Sequence, residues 1–329
     1  MTPKQRFIAA LNFKEPDDKI SMMEIEFQIH EEYAGEALTV GYEFAKLTRA
    51  KKDYALKRNA EIMIEVAHKA GHDVIREITG YWEVAPGVPA MLWLPDFEDR
   101  LELMRLVKQM AGDEFFILCC PAWFHGIPKG DQIDEFVRIL YDDPDSMYVT
   151  AEKMLKDSIE AQKRYIDIGA DGIGTCTDIA FKTGTFLSPA QLDEYLFPYF
   201  NRWVESVKKE GLYSIWHTDG DLNAIMPRII ESGVSALQCV DPLANMDIIK
   251  LKEQVYGKLA LIGNLDCTIL QVGPEGAITE ESRRIIEGCK AGGGFVFGGC
   301  NAIFKGIPAQ HYQAMVDARN LYGTYSKKV

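Results

Sequence analysis

The second half of the chain alternates short apolar segments with amphipathic ones in a regular order. Helical periodicity predicts helices at 145–168, 188–210, 222–232, 246–256, 279–291 and 308–323. Between them stand the predicted strands DGIGTCTD, YSIWHTD, ALQCVD, LALIGNLD and GFVFGGC. Apolar runs without polar alternation are typical of parallel strands covered on both faces. Strand and helix units of roughly 25 to 35 residues predict an α/β fold, a (β/α)8 TIM barrel, with a doubly wound open sheet as the alternative.

The first half is less regular. Thr2 and Pro3 supply a capping hydroxyl and a proline at the first helical position, which predicts a short helix over one end of the core. Helices are also predicted at about 42–70, 97–111 and 131–168, between the strand candidates KISMMEIEF, HDVIREI, MLWLP and FFILCCPAW. The charged, largely helical segment 27–70 is expected to be an N-terminal insertion over the barrel mouth. Residues 1–329 contain no linker rich in Pro, Gly or Ser, so we predict a single domain.

Composition excludes several classes of partner. A formal net charge of −13 without a basic run argues against nucleic-acid binding, which needs clustered Lys and Arg. The apolar runs are shorter than the roughly 20 residues of a membrane span, so no membrane association and a cytoplasmic location are expected. The seven cysteines form neither a disulfide framework nor a CxxC zinc ribbon, and we expect most to be reduced core residues.

Polar side chains stand at the ends of five successive predicted strands. They are Asp178, then His217 with Asp219, Cys239 with Asp241, Asn264 with Asp266, and Cys300 with Asn301. In a barrel these carboxyl ends meet at one mouth, where active sites of this fold lie. Such a mixture of imidazole, carboxylate and thiol is typical of zinc ligands, and without a metal the same groups would serve as acids, bases and substrate anchors.

Simpler roles remain open for the same residues. Asp178 and Asp266 would also fit as helix caps, and a lone histidine or cysteine is often a core residue. The aromatic residues of the predicted mouth would fit either a pocket for a flat ligand or the core; they are Trp82, Trp93, Trp123, Phe124 and Trp216.

Several stretches resemble the uroporphyrinogen decarboxylase superfamily, and within it the methyltransferases that work with corrinoid proteins. They are TPKQRFIAALNFKEPDD, GADGIGTCTDIAFKTGTFLSPAQLDEYLFPYF, HTDGDLNAIMPRIIESGVSALQCVDPLANMDI, KLALIGNLDC and GGGFVFGGCNAIFKGIPAQHY. The resemblance implies the same (β/α)8 barrel.

The chain differs from the decarboxylases of this superfamily in one region. Those enzymes carry a glutamine and arginine motif near the first strand. Here that region reads SMMEIEFQIHEEYAGEALTV, with Glu24 and Glu26 but no arginine. A highly anionic tetrapyrrole would be repelled, so the resemblance favours the methyltransferase branch.

The resemblance also implies a zinc site. In the branch that methylates thiols, a histidine, a cysteine two positions later and a distant cysteine bind zinc. His217 and Cys300 match the first and last of these, whereas Asp219 stands where the first cysteine would be. Because a carboxylate leaves zinc a stronger Lewis acid than a thiolate does, the substitution points toward oxygen chemistry.

These observations predict a zinc-dependent methyltransferase that moves a methyl group from a small O-methyl donor, of the methoxyaromatic class, to cob(I)alamin. The chain has no DxHxxG loop, so the cobalamin is expected on a separate corrinoid protein. Expected catalytic carboxylates are Glu24, Glu26, Asp178 and Asp266, and expected substrate contacts are Trp123, Trp216 and Asn264. The alternatives are a methylcobalamin:thiol methyltransferase, a tetrapyrrole decarboxylase and a non-enzymatic binding protein; a homodimer is left open.

Overall fold

The structure is a computed structural model that describes residues 1–78, 81–85, 88–91 and 94–325, with the backbone alone for 81–85 and 88–91. Within these residues, eight parallel strands form one sheet in the order β1-β12-β11-β10-β9-β6-β5-β2. The strands are β1 (Ser21–Met22), β2 (Val74–Arg76), β3 (Tyr81–Ala85), β4 (Val88–Met91), β5 (Phe116–Ala122), β6 (Gly172–Cys176), β7 (Ala180–Phe181), β8 (Gly184–Thr185), β9 (Tyr213–Thr218), β10 (Ala236–Cys239), β11 (Ala260–Ile262) and β12 (Phe295–Phe297).

The sheet curls into a nearly closed barrel. Its two end strands, β1 and β2, approach each other where the backbone N–H of Asp73 donates to the carbonyl of Met22 at 2.8 Å. The Asp73 carboxylate strengthens this seam by accepting hydrogen bonds from the Ser21 hydroxyl at 2.7 Å and the Met22 N–H at 3.2 Å. The predicted (β/α)8 barrel is therefore confirmed, and the open-sheet alternative is not needed.

Helices alternate with the barrel strands. They are α1 (Pro3–Leu11), α2 (His30–Ala34), α3 (Gly41–Ala45), α4 (Arg49–Ala70), α5 (Phe97–Ala111), α6 (Ile133–Asp142), α7 (Pro144–Asp167), α8 (Pro189–Tyr195), α9 (Phe197–Lys209), α10 (Met226–Glu231), α11 (Ile248–Val255), α12 (Cys267–Val272), α13 (Glu275–Cys289) and α14 (Ala309–Tyr322). None of the helices in the described part of the chain has both the length and the apolar character that a bilayer crossing requires.

Prolines divide two of the predicted helices. The helix expected over 131–168 breaks at Asp143, because Pro144 disfavours helical backbone in the residue before it and instead opens α7. The helix expected over 188–210 breaks at Leu196, since Pro198 lies in the first turn of α9.

Two predictions for the first half need correction. Helix α4 connects β1 to β2 and buries Leu56, Ala60 and Met63 in the core, so it is a barrel helix, and the additional segment before it is shorter than 27–70. β3 and β4 form an antiparallel hairpin outside the barrel. The predicted strand MLWLP overlaps that hairpin only at its first residue, and its residues 92 and 93 lie outside the described part of the chain.

Helix α1 covers the amino-terminal end of the barrel, as predicted. Its capping box is formed by Thr2 and Gln5, each of which accepts a hydrogen bond on its side chain from the backbone N–H of the other. Phe7 and Leu11 pack against the cluster of strand residues that includes Phe116. Because this end is filled, the opposite end, where the strands terminate, is the open mouth.

Candidate metal centre

Three predicted residues meet at the ends of two neighbouring strands. His217 lies near the end of β9, Asp219 follows that strand, and Asp178 follows β6. The His217 Nε2 atom lies 3.7 Å from Asp219 Oδ1 and 3.8 Å from Asp178 Oδ1. One ligand atom from each residue lies within 4.8 Å of the other two, which is close enough for all three to hold one cation.

The His217 ring is held from the next strand. Its Nδ1 atom hydrogen-bonds to the side-chain oxygen of Gln238, the residue paired with it across β9 and β10. The Gln238 amide nitrogen donates in turn to the carbonyl oxygens of Gly299 at 3.3 Å and Cys300 at 3.2 Å. Since an amide oxygen only accepts, Nδ1 carries the proton and the Nε2 lone pair faces the two carboxylates.

Asp219 carries an unsatisfied oxygen that fits a cation. Its Oδ2 atom accepts a hydrogen bond from the Asn301 amide at 2.6 Å, whereas Oδ1 is buried without a partner. The backbone N–H of Asp219 donates to Asp178 Oδ1 at 3.0 Å, which ties the two carboxylates together. A buried carboxylate oxygen normally has a partner, and a metal ion between Oδ1 and His217 Nε2 would supply one.

Electrostatics at the cluster favour a bound positive charge. Burial lowers the pKa of His217, but negative charge on the neighbouring Cys176 sulfur and on the two carboxylates outweighs that effect and raises the pKa above its usual value. Burial raises the pKa of Asp178, although the charge of His217 acts in the opposite direction. In the absence of a metal the histidine therefore takes up a proton more readily than a free imidazole does.

Cys300 is not brought into this group of three. Its thiol is buried and donates to the sulfur of Cys267 at 3.9 Å. Its role as a ligand stays a prediction. Asp266 caps α12, where its side chain accepts from the Thr268 N–H at 2.7 Å, so the capping role that the sequence left open is the one observed.

Glu24 is part of a buried hydrogen-bond network. It contacts the N–H of Gly299 and the hydroxyl of Tyr312, both at 2.9 Å, and that hydroxyl lies 2.7 Å from His72 Nε2. Burial raises the pKa of Glu24 to about 8 and lowers that of His72 to about 3. At neutral pH Glu24 is therefore largely protonated and His72 is neutral, and the Tyr312 hydroxyl donates to Glu24 Oε1.

Glu26 lies in a pocket at the seam of β1 and β2, and its charge interacts with that of His217. Apolar side chains such as Phe27 and Ile75 line this pocket together with the guanidinium of Arg76. Burial raises the pKa of Glu26, while a hydrogen bond from Gln28 and the charge of Arg76 act against that rise. The pocket thus combines apolar walls with three acids, Glu24, Glu26 and Glu77, and the guanidinium of Arg76.

The predicted substrate contacts lie in different surroundings. Trp216 is fully buried and packs on Phe200 with ring centroids 4.4 Å apart, so it is a core residue rather than a substrate contact. Trp123 is 52% exposed at the end of β5. Asn264 is buried and donates to the Val240 carbonyl at 2.7 Å, and its side-chain oxygen has no partner.

The remaining aromatic residues of the predicted mouth are Phe124, Trp82 and Trp93. Phe124 is a core residue, with its ring 5.6 Å from that of Trp203. The side chain of Trp82 and the whole of Trp93 lie outside the described residues.

The uroporphyrinogen decarboxylase (URO-D) family model matches residues 128–322, which is more than half of the chain. The chain belongs to the URO-D family. The matched region includes the whole metal centre, and the resemblance noted in the sequence is confirmed.

Curated relatives of this URO-D family protein match it over part of their length. A uroporphyrinogen decarboxylase from Anaeromyxobacter sp. (strain Fw109-5) is 28% identical over 180 residues, or 55% of this chain and 49% of that protein. One from Chloroherpeton thalassium is 25% identical over 249 residues, or 69% of this chain and 66% of that protein. The chain thus spans about half to two thirds of the length of these relatives.

A solved structure has the same fold over the full length. A methyltransferase from Methanosarcina mazei superimposes with a TM-score of 0.69, covering 98% of this chain and 99% of that chain at 17% identity. At that identity the likeness supports the barrel and its connections.

Three residues near the candidate site, Gln238, Arg76 and Tyr312, carry little signal in the sequence. Gln238 stands inside an apolar strand motif, and only the alignment of HTD with QCV across neighbouring strands would have paired it with His217. Arg76 is a charged residue inside the apolar run HDVIREI, and this contrast is a signal that could mark it as a functional candidate. Tyr312 lies on α14, far from Glu24 in sequence, and no local pattern joins them.

Proposed function

We propose that this URO-D family protein is a metal-dependent methyltransferase that moves a methyl group from an O-methyl donor, of the methoxyaromatic class, to the cob(I)alamin of a separate corrinoid protein. The observation that carries the proposal is the unpartnered Asp219 Oδ1, which faces the Nε2 lone pair of His217. A site of one imidazole and two carboxylates suits a hard cation with open positions.

Asp178, His217 and Asp219 would hold the ion, which we propose to be zinc. Cys300 is a further ligand in this proposal only if its thiol turns away from Cys267. A bound zinc ion would supply Lewis acidity toward the ether oxygen of the donor, which is otherwise a poor leaving group. The rest of the chemistry falls to the side chains of the protein.

Glu26 is suited to deliver the proton that a leaving phenolate needs. Burial raises its pKa and so keeps a larger fraction protonated near neutral pH, and it lies in the seam pocket, where its charge interacts with that of His217. Glu24 also holds a proton, but its contacts with Gly299 and Tyr312 favour a positioning role. Asp266 is engaged as a helix cap and is less suited to proton transfer.

The seam pocket is the proposed location of the aromatic ring. Phe27 and Ile75 offer apolar contact, and Trp123, exposed at the end of β5, offers a further surface for an aromatic donor. The methyl group would then face the open mouth, where a corrinoid protein would approach. The structural likeness to a protein named a methyltransferase supports this assignment of reaction class.

Decarboxylation is the second candidate, because curated relatives carry the name uroporphyrinogen decarboxylase. Arg76 supplies one cation in the pocket, but Glu24, Glu26 and Glu77 line it as well. A substrate with several carboxylates would meet more acids than bases there.

A donor panel tests the proposal. Zinc-loaded protein is mixed with a reduced corrinoid protein and with guaiacol or vanillate, and methylcobalamin is followed by absorbance. In parallel, methylcobalamin is offered with a small thiol, and uroporphyrinogen is offered alone. The proposal predicts donor-dependent methylcobalamin in the first assay. Ready thiol methylation without activity on any methoxyaromatic, or release of CO2 from the porphyrinogen, would replace it with the corresponding alternative.

A further inference from the structure

Arg76, at the end of β2, makes both of its hydrogen bonds to thiols. Its Nε atom donates to the Cys120 sulfur at 3.4 Å, and a terminal nitrogen donates to the Cys176 sulfur at 3.1 Å. No carboxylate of the described residues lies within 4.0 Å of this guanidinium. Two sulfurs from neighbouring strands therefore share one cation at the barrel mouth.

The strands bring the two sulfurs to the same face. The register between β5 and β6 shifts after Cys119, which carries Cys120 toward β6. The Cys120 sulfur then lies over Gly174, so close that a Cβ built on that glycine would be 2.7 Å from it. Cys176 is two residues further along β6, and alternate residues of a strand point to the same side. The two thiol groups interact with each other as a result.

The pair is also accessible. Cys176 is exposed and Cys120 is half-buried, whereas Cys119, Cys239, Cys267, Cys289 and Cys300 are buried. A small oxidant that enters the mouth reaches Cys176 first. A guanidinium beside both sulfurs stabilises negative charge on either one during a substitution at sulfur.

We propose that Cys120 and Cys176 form a redox-active dithiol that a hydroperoxide converts reversibly into a disulfide. No step of the proposed methyl transfer uses either thiol, so the oxidation can be tested separately from that function. The cross-link would join the ends of β5 and β6 beside Asp178.

The chemistry balances with hydrogen peroxide as the oxidant. The Cys176 sulfur attacks one peroxide oxygen, the O–O bond breaks, and water leaves once the second oxygen has taken up a proton. The Cys120 sulfur then attacks the resulting sulfenic acid, the S–S bond forms, the S–O bond breaks, and a second water leaves. Each sulfur loses one electron overall, and one peroxide is reduced to two waters. A dithiol reductant reverses the reaction by exchange.

A second pair of thiols in the same chain gives an internal comparison. Cys267 and Cys300 also lie close together, with sulfurs 3.9 Å apart, but both are buried, and Arg76 contacts neither of them. If proximity alone were sufficient, both pairs would form a disulfide. Exposure and the shared guanidinium favour disulfide formation only between Cys120 and Cys176.

Peptide mapping of the native protein tests the proposal. Fully reduced protein is treated with a small excess of hydrogen peroxide, free thiols are alkylated, and linked peptides are identified by mass spectrometry without reduction. The free-thiol count should fall from seven to five, with a Cys120–Cys176 link that dithiothreitol removes. Arg76→Met should slow the link by about tenfold, and Cys289→Ser serves as the control with an unchanged rate.

The single variant Cys120→Ser distinguishes the roles of the two sulfurs. Without its partner, Cys176 should proceed to the sulfinic acid, which dithiothreitol does not reverse. Three results would overturn the proposal: a link at Cys267–Cys300 instead, over-oxidation of Cys176 in the wild type without a link, or both thiols still reduced after other cysteines have reacted. Peptide mapping of the wild-type protein tests the proposal even if a variant fails to fold.

Discussion

The His217 Nδ1 atom donates a hydrogen bond to the side-chain oxygen of Gln238 across the β9–β10 pair. This contact fixes the tautomer, so that the Nε2 lone pair lies between the carboxylates of Asp178 and Asp219. Partners that orient a metal-binding histidine in this way often determine the affinity of the site.

Gln238→Leu should therefore weaken metal binding without unfolding the protein. The leucine leaves the imidazole free to rotate or to change tautomer, and we expect a loss of about 10- to 100-fold in zinc affinity. Isothermal titration calorimetry measures the affinity. Gln162→Leu, which removes another buried amide away from the mouth, should bind zinc as the wild type does. Equal affinity in Gln238→Leu would show that the glutamine does not position the ring.

Glu24 should make the free energy of unfolding depend on pH. Because its folded pKa is raised from 4.5 to about 8, the protonated form favours folding, and this contribution is lost as pH rises through that interval. This contribution alone has a slope approaching about 1.4 kcal/mol per pH unit within it, and the buried histidines His30 and His72, whose pKa values are lowered to about 3, act in the opposite direction below pH 6.5. Glu24→Gln keeps a neutral side chain and should remove the Glu24 contribution, so that stability falls less, or rises more, with pH than in the wild type.

Denaturant unfolding from pH 4.5 to 8.5 measures this dependence. Glu43→Gln, at an exposed position, should leave the slope unchanged. A Glu24→Gln variant with the wild-type slope between pH 4.5 and 8 would show that Glu24 is ionised in the folded protein.

Asp219 should set the preference for oxygen over sulfur chemistry. In Asp219→Cys a thiolate donates charge to the metal and weakens its pull on an ether oxygen, so cob(I)alamin methylation from a methoxyphenol should fall by about tenfold or more. Asp219→Asn keeps the shape and the contact with Asn301 but removes the charge, and should lower zinc affinity. An Asp219→Cys variant that cleaves the ether at the wild-type rate would contradict this role.

Trp216 and Trp123 should respond differently to truncation. Trp216→Ala removes a fully buried ring from the core and should cost roughly 3 to 5 kcal/mol of stability. Trp123→Ala should change stability by less than about 0.5 kcal/mol, because the side chain is exposed, but should raise the KM for an aromatic donor. Thermal unfolding and donor kinetics measure the two effects, and an unchanged KM in Trp123→Ala would remove it from the substrate site.

The barrel could be predicted from the sequence because each strand in the second half is short, apolar and followed by a helix. Strand ends then placed His217, Asp178 and Asp219 at one mouth, and the structure brings those three side chains together. The position of a residue at a strand end does not reveal the direction in which its side chain points. Cys300 also follows a strand, yet its thiol contacts Cys267 rather than joining this group.

The first half was harder because its patterns are ambiguous. Amphipathic periodicity in α4 is the same for a barrel helix and for an added layer, so only the packing of Leu56 and Ala60 decides between them. Glu24 was singled out as a carboxylate, but its pKa depends on Tyr312, 288 residues away, and on complete burial, neither of which local sequence reveals.

The metal content of the protein tests the central claim most directly. Protein purified without chelators and reconstituted with zinc should contain one tightly bound ion per chain by elemental analysis. His217→Ala and Asp219→Ala should contain almost none while keeping the wild-type circular dichroism spectrum, and His68→Ala, at an exposed histidine, should retain the ion. Full zinc occupancy in His217→Ala, or wild-type protein that binds no divalent metal, would contradict the account.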